Sequence, residues 1–346
     1  MKILLGISSQ NDEVLGISTT LREMGHEVII IRTDEYRTQC SYFLKKCDKL
    51  GFHMYRRQYE YKWLKALSSL VDDSKVQVGI FINPPNEVIE VQQFKKIYNR
   101  CNEKRIRLVC WTVDPVKDNN DVIECCRYFD NVYVYEKSDV KILGNHGVIA
   151  EYLPVGYNQV YENVETNKIK CWDICFVGTP YKNRLKTLNI VAQKAIAYNW
   201  KFKVVGPFWE KWHIWKPMLL KYKYPYLYNF IENKRICNKD VAALYKSSKI
   251  CLNIHTGRAA SLNPRAFEIM ATGSFEMVDI RNDYDNIVPQ RDLVEYKDDY
   301  DLLRKLTIYI NDDVEREKIA LGGKEKVSNS YSLKASLDRI INSVRI

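Results

Sequence analysis

The sequence predicts an α/β protein with two domains, each built around a parallel β-sheet. Short apolar segments alternate with amphipathic helical segments along the chain, a pattern typical of parallel sheets whose strands are joined by helices. The 346 residues are enough for two domains of ordinary size. A polar stretch without periodicity, residues 154–170, separates two halves that share this rhythm. We therefore expect domains over residues 1–154 and 171–330, and a terminal helical segment, residues 331–346, that packs back on the first domain.

The first half contains strand-like and helix-like segments in alternation. Apolar runs of strand length predict strands at residues 2–7, 27–32, 76–82, 106–111, 132–135 and 150–153. Hydrophobic residues at helical spacing predict helices at residues 14–24, 63–71 and 88–101. The segment 36–58 is rich in Tyr, Cys and Lys and is expected to contain helix, although its periodicity is not clear.

The second half repeats the alternation. Strands are predicted at residues 174–177, 202–205, 249–254 and 275–278. Helices are predicted at residues 183–198, 239–246, 301–310, 313–321 and 333–344. The aromatic, basic stretch 208–228 allows three interpretations: a core-facing helix whose far side is basic, a membrane-surface patch, or a platform for stacking nucleic-acid bases. The first of these is the preferred prediction.

Composition and charge narrow the class of protein. Hydrophobic residues make up 46% of the chain and charged residues 28%, as in globular proteins. The net charge of +10 favours partners that carry phosphate groups: nucleic acid, an anionic membrane or a nucleotide diphosphate. Nucleic acid is not expected, because the basic residues are dispersed. With no apolar run long enough to span a bilayer and no signal peptide, we expect a cytoplasmic protein, with peripheral contact at the inner membrane surface left open.

The ten cysteines show no pairing pattern. Several lie inside apolar runs, and the spacing of Cys171 and Cys175 is not that of a zinc knuckle. We expect reduced core thiols and no metal site.

The most informative stretch is residues 252–279, LNIHTGRAASLNPRAFEIMATGSFEMVD. A predicted strand ends just before His255, and ligands of open α/β sheets bind at the carboxyl ends of strands. Ser261 or Asn263 can cap the helix that follows, and Pro264 suits its first position. The stretch therefore predicts a strand end followed directly by a helix start.

This geometry suits a phosphate-bearing ligand. Arg265 lies in the first helical turn, where free N–H groups and positive potential favour a phosphate, and its guanidinium can add a bidentate contact. Glu268, one turn further, can accept hydrogen bonds from ribose hydroxyls. Each residue also has a structural interpretation: Arg265 and Glu268 as a surface helix pair, His255 as a satisfied core histidine, Asn263 as a cap only. Their combination at one strand end favours the ligand site. Gly273 is expected to end the helix.

The letters LNIH and LNPRAFEIMATGSFEMVD resemble the C-terminal signature of CgeB-like glycosyltransferases, a branch of the GT-B superfamily. The resemblance implies a GT-B fold, two Rossmann-like domains facing a cleft. It implies that Asn263, Arg265 and Glu268 face the nucleotide diphosphate and ribose of a donor, and His255 is a further donor-site candidate. It also implies that cationic residues take the place of a metal ion, so no cofactor is expected.

Other segments extend the resemblance over roughly residues 105–280. The letters DICFVGTPYKNR resemble the strand and loop that open the donor domain of such chains, which makes Gly178 and Arg184 donor-site candidates. The letters CWTVDPVKDN resemble an Asp-Pro element of the acceptor domain. Asp114 there is a candidate general base for an acceptor hydroxyl, with a turn-forming Asp-Pro as its structural alternative.

One departure concerns the acidic residues. Glu268 and Glu276 have the Glu-x7-Glu spacing of many retaining GT-B enzymes, but FEIMATG aligns with the second glutamate of that motif. The first would fall on Ala260, and Glu276 is expected in a strand. The stereochemical outcome is therefore left open.

The expected function is transfer of a sugar from a nucleotide-diphosphate sugar, with a UDP-sugar as the expected donor, to a hydroxyl-bearing acceptor. Two alternatives stay open: a nucleotide-sugar epimerase on the same fold, and a non-catalytic structural protein with a degenerate donor site. The chain has neither a dinucleotide-binding fingerprint after its first strand nor a Walker A sequence, so a dehydrogenase and a P-loop enzyme are not expected.

Overall fold

The computed structural model divides the chain into two compact units. Unit 1 is Met1–Val155 with Leu333–Ile346, and unit 2 is Gly156–Ser332. The structure describes residues 1–8, 12–38, 54–73, 75–87, 89–116, 119–165, 169–210, 213–256, 260–328 and 330–345. Most of the segment 36–58, whose helix content the sequence left unclear, lies outside the described residues.

Unit 1 is a six-stranded parallel sheet with flanking helices. The sheet order is β2-β1-β3-β4-β5-β6. Its strands are β1 (Lys2–Ile7), β2 (Glu27–Arg32), β3 (Val78–Ile82), β4 (Arg107–Thr112), β5 (Asn131–Val134) and β6 (Glu151–Tyr152). Its helices up to the unit boundary are α1 (Asp12–Glu23), α2 (Thr33–Thr38), α3 (Met54–Asp73), α4 (Val91–Glu103), α5 (Asn120–Cys126) and α6 (Lys137–Asn145).

Unit 2 repeats this plan with a second six-stranded parallel sheet. The sheet order is β9-β8-β7-β10-β11-β12. Its strands are β7 (Trp172–Val177), β8 (Phe202–Gly206), β9 (Ile231–Asn233), β10 (Ser248–Asn253), β11 (Glu276–Asp279) and β12 (Val294–Tyr296). Its helices are α7 (Lys182–Ala197), α8 (Trp215–Lys223), α9 (Asn238–Lys246), α10 (Pro264–Ala271), α11 (Asp299–Tyr309) and α12 (Asp313–Ser328). The order reverses between β7 and β10, which is where open α/β sheets form ligand crevices.

The last helix, α13 (Leu333–Val344), belongs to unit 1. It packs against α1, and Leu337 and Ile340 on its inner face are fully buried. The Ser336 hydroxyl donates a hydrogen bond of 2.8 Å to the carbonyl oxygen of Pro154. The chain therefore returns to its first unit after building the second.

Many predicted elements have the observed positions. The strands at residues 2–7 and 27–32 and the helix at residues 333–344 have the same bounds in the structure. Gly273, with a φ of 69°, follows the last turn of α10, so the predicted helix end is confirmed. The sequence did not indicate α5, α6, β9 or β12, because the two strands are only three residues long and the two helices at most nine.

Two expectations need correction. The stretch 154–170 is not only a linker, because Gly156 onwards belongs to unit 2 and the Tyr157 and Tyr161 side chains there are buried in its core. The prediction of a core-facing helix in the stretch 208–228 holds only in part, because Leu220 of α8 packs against the core of unit 2 but no residue of the helix is fully buried. No helix in the described ranges has the length and apolar character needed to cross a membrane.

Candidate functional site

The candidate site lies in unit 2, at the carboxyl ends of β7 and β10. These strands are neighbours in the sheet, with Cys175 of β7 beside Cys251 of β10. Gly178 follows β7, and His255 comes two residues after the end of β10. The strand order reverses here, so the loops after the two strands lead in opposite directions and leave room for a ligand.

Two glycines allow the strand ends to approach each other. A Cβ on Gly178 would lie 3.0 Å from the Phe176 ring and 3.4 Å from a guanidinium nitrogen of Arg184. A Cβ on Gly206, at the end of β8, would overlap the carbonyl oxygen of Gly178. Gly178 therefore leaves space for Arg184, and Gly206 leaves space for the loop of Gly178. The sequence indicated a role for Gly178 only.

Arg184 extends from the first turn of α7 and binds the end of β10. Its Nε–H donates to the carbonyl oxygen of Ile254 at 2.6 Å, and an Nη1–H donates to the Thr179 hydroxyl at 3.1 Å. The adjacent Asn183 donates from its amide to the carbonyl oxygen of His255 at 2.6 Å. The first turn of α7 thus fixes the loops that follow both strands.

His255 is buried, and both of its ring nitrogens have partners in the chain. Nδ1 lies 2.8 Å from Oδ1 of Asp279, and Nε2 accepts the backbone N–H of Asn263 at 3.1 Å. Because Nε2 accepts, the ring proton lies on Nδ1 and is donated to Asp279. Burial lowers the pKa of His255 despite the carboxylate, so the neutral ring is favoured. The geometry matches the structural interpretation, in which the ring connects β10, β11 and the start of α10.

Asn263 caps α10 and belongs to a ladder of amides. Its Oδ1 accepts the backbone N–H of Ala266 at 3.2 Å, which settles the choice between Ser261 and Asn263 as the cap. The side chains of Asn263 and Asn253 exchange hydrogen bonds of 2.9 and 3.0 Å. The Asn253 amide also donates to Oε1 of Glu276 at 2.8 Å. The cap of α10 is therefore fixed by polar side chains at the end of β10 and the start of β11.

Glu276 is a buried carboxyl at the start of β11. Its Oε2 is buried and has no hydrogen-bond partner among the described residues. Burial raises the pKa of Glu276 to about 8, against the opposing effects of the Asn253 hydrogen bond and the charge of Arg265. The carboxyl is therefore mostly protonated at neutral pH.

Arg265 lies deep at the start of α10, close to Glu268 and two tyrosines. Burial lowers its pKa, but Tyr245 and Glu268 more than offset that effect and the pKa is raised. Burial and the carboxylate of Glu268 raise the pKa of Tyr161, which shows that Glu268 also faces this phenol. The Nε of Arg265 is buried without a hydrogen-bond partner in the described part of the chain. A buried guanidinium nitrogen without a partner is unusual, and a ligand entering the site would satisfy it.

Arg184 and Arg265 lie near enough within unit 2 for their charges to interact. Burial lowers the pKa of Arg184 to about 10, and the positive charge of Arg265 contributes to the decrease. Two cations this close repel each other, and a bound anion between or beside them would relieve that repulsion. The arrangement therefore favours a polyanionic ligand such as a diphosphate.

Asp114 belongs to unit 1, where it follows the carboxyl end of β4. Its side chain is exposed, and its Oδ2 accepts a hydrogen bond of 3.0 Å from the amide of Asn83. Asn83 has a φ of 61° and accepts the N–H of Val113, so the pair closes a loop at the ends of β3 and β4. Its role as a base stays a prediction.

All six donor-site residues predicted from the sequence belong to unit 2, but the sequence analysis assigned no role to Asn253, Glu276 or Asp279. The sequence did contain a signal for two of these residues, Asn253 and Glu276. Strands buried on both faces of a parallel sheet are usually apolar, so Asn253 and Glu276 inside such strands indicate a buried polar network.

Comparisons with known proteins agree with this geometry. Residues 185–342, a little under half of the chain, match the family model described as Glycosyl transferase-like. The matched residues therefore include most of unit 2. No curated protein sequence is significantly similar to the chain.

Three solved structures illustrate the likeness in fold. Anabaena HepE in complex with UDP-glucose has a TM-score of 0.69 at 11% identity, covering 99% of both chains. A Rickettsia africae glycosyltransferase has a TM-score of 0.69 at 13% identity, covering 99% of this chain and 97% of its own. A Listeria monocytogenes protein described as a putative UDP-N-acetylglucosamine 2-epimerase has a TM-score of 0.60 at 8% identity, covering 99% and 95%. The two parallel six-stranded sheets with flanking helices are thus those of the GT-B fold.

Proposed function

We propose that this chain, in which a GT-B fold carries a glycosyl transferase-like domain, moves a sugar from a nucleotide-diphosphate sugar to a hydroxyl-bearing acceptor. The donor base proposed is uracil, because HepE of the same fold binds UDP and UDP-glucose. Membership of the CgeB-like branch, which the sequence motif supports, and a cytoplasmic location are parts of the same proposal.

The observation that carries the proposal is a pair of buried arginines whose charges interact, Arg184 bound to the chain after β10 and Arg265 at the start of α10. In sugar transfer from such a donor, negative charge develops on the leaving diphosphate. Arg265, with an unsatisfied Nε at the start of α10, is the proposed direct contact to that diphosphate. Arg184 already donates to Ile254, so it is proposed to shape the loop and supply positive potential. The arginines would neutralise the diphosphate without a metal ion or other cofactor.

Glu268 is proposed to accept hydrogen bonds from the ribose hydroxyls. It lies one turn after Arg265 on the same helix and beside Tyr161, so a nucleotide bound at the helix start would reach both side chains. Asn263 and His255 are proposed to hold the loop that receives the diphosphate. Gly178 is proposed to let the donor approach the backbone closely.

The acceptor is assigned to unit 1 by exclusion, because the donor residues all belong to unit 2. Asp114 is the proposed base for the acceptor hydroxyl if the reaction inverts the sugar. Replacing it with asparagine would then reduce turnover while leaving donor affinity unchanged.

The direct test is donor binding by Arg265→Gln. We expect UDP to raise the melting temperature of the wild-type protein, since a ligand that binds only the folded state stabilises it. Calorimetry should show UDP affinity about 10- to 100-fold weaker in Arg265→Gln, the loss of one charged hydrogen bond. Arg235→Gln is the matched control, because Arg235 is exposed on the same unit and the charge change is identical. Equal affinities in all three proteins, with or without EDTA, would remove the site assignment.

An epimerase is the second candidate, because the Listeria protein named above shares the fold. Product analysis separates the two functions. A transferase releases UDP only in the presence of an acceptor, apart from slow hydrolysis, whereas an epimerase isomerises the sugar nucleotide without one. A third outcome, binding without turnover in either assay, would favour a non-catalytic protein, for which Ala260 in place of an acid is the supporting observation.

A further inference from the structure

Helix α8 presents an apolar surface to solvent. Trp215, Met218, Leu219 and Tyr222 recur at positions i, i+3, i+4 and i+7, so they form one stripe on the helix, here called the α8 stripe. The exposed fractions of these side chains range from 41% for Leu219 to 85% for Tyr222. Ile214, 81% exposed, extends the stripe at its amino end.

The side chains of the α8 stripe are exposed and do not belong to the buried core of unit 2. A different pair of residues, Leu220 and Tyr224, packs against the core of unit 2. Tyr224, at the end of the helix, donates its N–H to the carbonyl oxygen of Leu220. The helix thus has one apolar face that anchors it and a second, largely exposed face, on which Trp215 makes an edge-on ring contact with His213. Contiguous exposed apolar surface of this kind marks an interaction site.

The charged residues of α8 are all lysines, and the nearby Glu210 carboxylate lies 3.3 Å from the His213 ring. Between Glu210 and Glu232 the sequence has no acidic residue and has lysines at positions 211, 216, 221 and 223. Lys221 and Lys223 are exposed at the carboxyl end of α8, and the Lys221 ammonium lies 5.7 Å from the ring centre of Tyr228. Long lysine side chains beside apolar residues can reach headgroup phosphates while the apolar residues enter the lipid.

The composition of the stripe favours lipid over other occupants. Met218, Leu219 and Ile214 are aliphatic and do not stack on bases, which disfavours single-stranded nucleic acid. A symmetric contact between two copies would place the same lysines opposite one another, and their repulsion disfavours a dimer. Trp and Tyr are enriched at membrane–water interfaces.

We propose that the α8 stripe and its flanking lysines form a docking surface for anionic lipid membranes, by which unit 2 binds peripherally to a bilayer. This surface is separate from the donor-site residues, so it goes beyond the proposed transferase activity.

The test is flotation of the full chain with lipid vesicles. We expect binding to vesicles of phosphatidylcholine with one third phosphatidylglycerol to exceed binding to pure phosphatidylcholine by about tenfold or more, because each lysine near an anionic surface contributes roughly fivefold. The binding should weaken as salt is raised.

A matched pair of variants locates the surface. Met218→Glu with Tyr222→Glu should abolish vesicle binding, while Tyr300→Glu with Val314→Glu, at residues each 79% exposed elsewhere on unit 2, should not. All four side chains are largely exposed, so circular dichroism and UDP binding should match the wild type in both variants. UDP binding tests the donor-site proposal and vesicle binding tests the docking proposal, so a failure of one can be told from a failure of the other.

Three results would overturn the proposal: equal binding to neutral and anionic vesicles, vesicle binding by the α8 variant at the wild-type level, or no vesicle binding by the wild type. A lipid-free dimer that the α8 variant disrupts would assign the stripe to self-association instead. Selective loss of binding to a single-stranded oligonucleotide in that variant would assign it to nucleic acid.

Discussion

The residues of the candidate site differ in whether their polar atoms already have hydrogen-bond partners. Arg265 has an unsatisfied donor, whereas the imidazole of His255 has both nitrogens engaged. A ligand that reaches the Nε of Arg265 would add a hydrogen bond there, whereas a ligand of the His255 ring would have to displace a partner. Residue type and position in the sequence were equally suggestive for both, and only the three-dimensional partners separate them.

Glu276 makes the stability of the protein depend on pH. In the unfolded chain its pKa is near the ordinary value of 4.5, and in the folded chain burial raises the pKa to about 8. Between these values the folded state holds a proton that the unfolded state has released, so the free energy of unfolding falls as pH rises from about 4.5 to about 8. The total decrease from this residue is on the order of a few kcal/mol.

Glu276→Gln should therefore flatten this dependence. Glutamine keeps an oxygen that accepts from Asn253 and cannot ionise. The melting temperature of the variant should fall less than that of the wild type between about pH 5 and about pH 8. Glu325→Gln, at an exposed position on the same unit, should follow the wild type. Parallel curves for all three proteins would show that Glu276 is not protonated in the folded state.

At the scale of elements, the ends of β7 and β8 are held at a separation that only glycine permits at residue 206. A Cβ there would overlap the carbonyl oxygen of Gly178. Strand and loop positions on each side are fixed by the hydrogen bond from the N–H of Gly178 to the carbonyl oxygen of Val205. The element boundary could be read from the sequence, but this close approach could not, because it depends on how two strands pair.

Gly206→Ala should destabilise the protein by about 2–3 kcal/mol, the usual cost of forcing extra volume into a packed region. It should also weaken UDP binding, because the Gly178 loop must move. Gly144→Ala provides the comparison: an added Cβ has no atom within 4 Å in helix α6, and alanine favours a helix. Chemical denaturation measures both variants. Equal stability of Gly206→Ala and the wild type would contradict the observed packing.

Helix α8 shows why periodicity can predict an element and still misplace its faces. Apolar residues at helical spacing indicate a helix with an apolar side, and the simplest interpretation buries that side. In α8 the sequence has apolar residues on two sides, and the narrower side, with Leu220 and Tyr224, faces the core. The choice between the faces depends on the surface against which the helix packs, which local sequence does not encode.

At the scale of the whole molecule, unit 1 is built from two separate parts of the chain, its first 155 residues and its last helix. Helix α13, last in sequence, completes unit 1 together with α1. Besides Ser336, an ion pair of 3.5 Å between Arg339 and Glu151 connects it to the same unit. The family match extends to residue 342, and so includes this returning helix.

Ile340→Ala should loosen unit 1 selectively. Ile340 is fully buried, and removing such a side chain typically costs about 2–5 kcal/mol. Hydrogen exchange should show lost protection in peptides from residues 1–155 and little change in those from residues 156–332. Asn342→Ala, at an exposed position of the same helix, should leave both sets unchanged. Uniform loss of protection over the whole chain in Ile340→Ala would mean that the units do not unfold separately.

The sequence by itself determined the α/β class, the two-domain organisation and the position of the donor-site candidates along the chain. It could do so because strand and helix periodicity, helix caps and the residues that follow a strand are local properties of neighbouring positions. Only the tertiary structure decided which candidates share a site and which partners occupy them. Asn253 and Glu276, Arg184 and Ile254, and His255 and Asp279 meet through the pairing and packing of β7, β10 and β11. Hydrogen bonding, burial and charge at those contacts depend on distances between residues up to 70 positions apart, which no local pattern specifies.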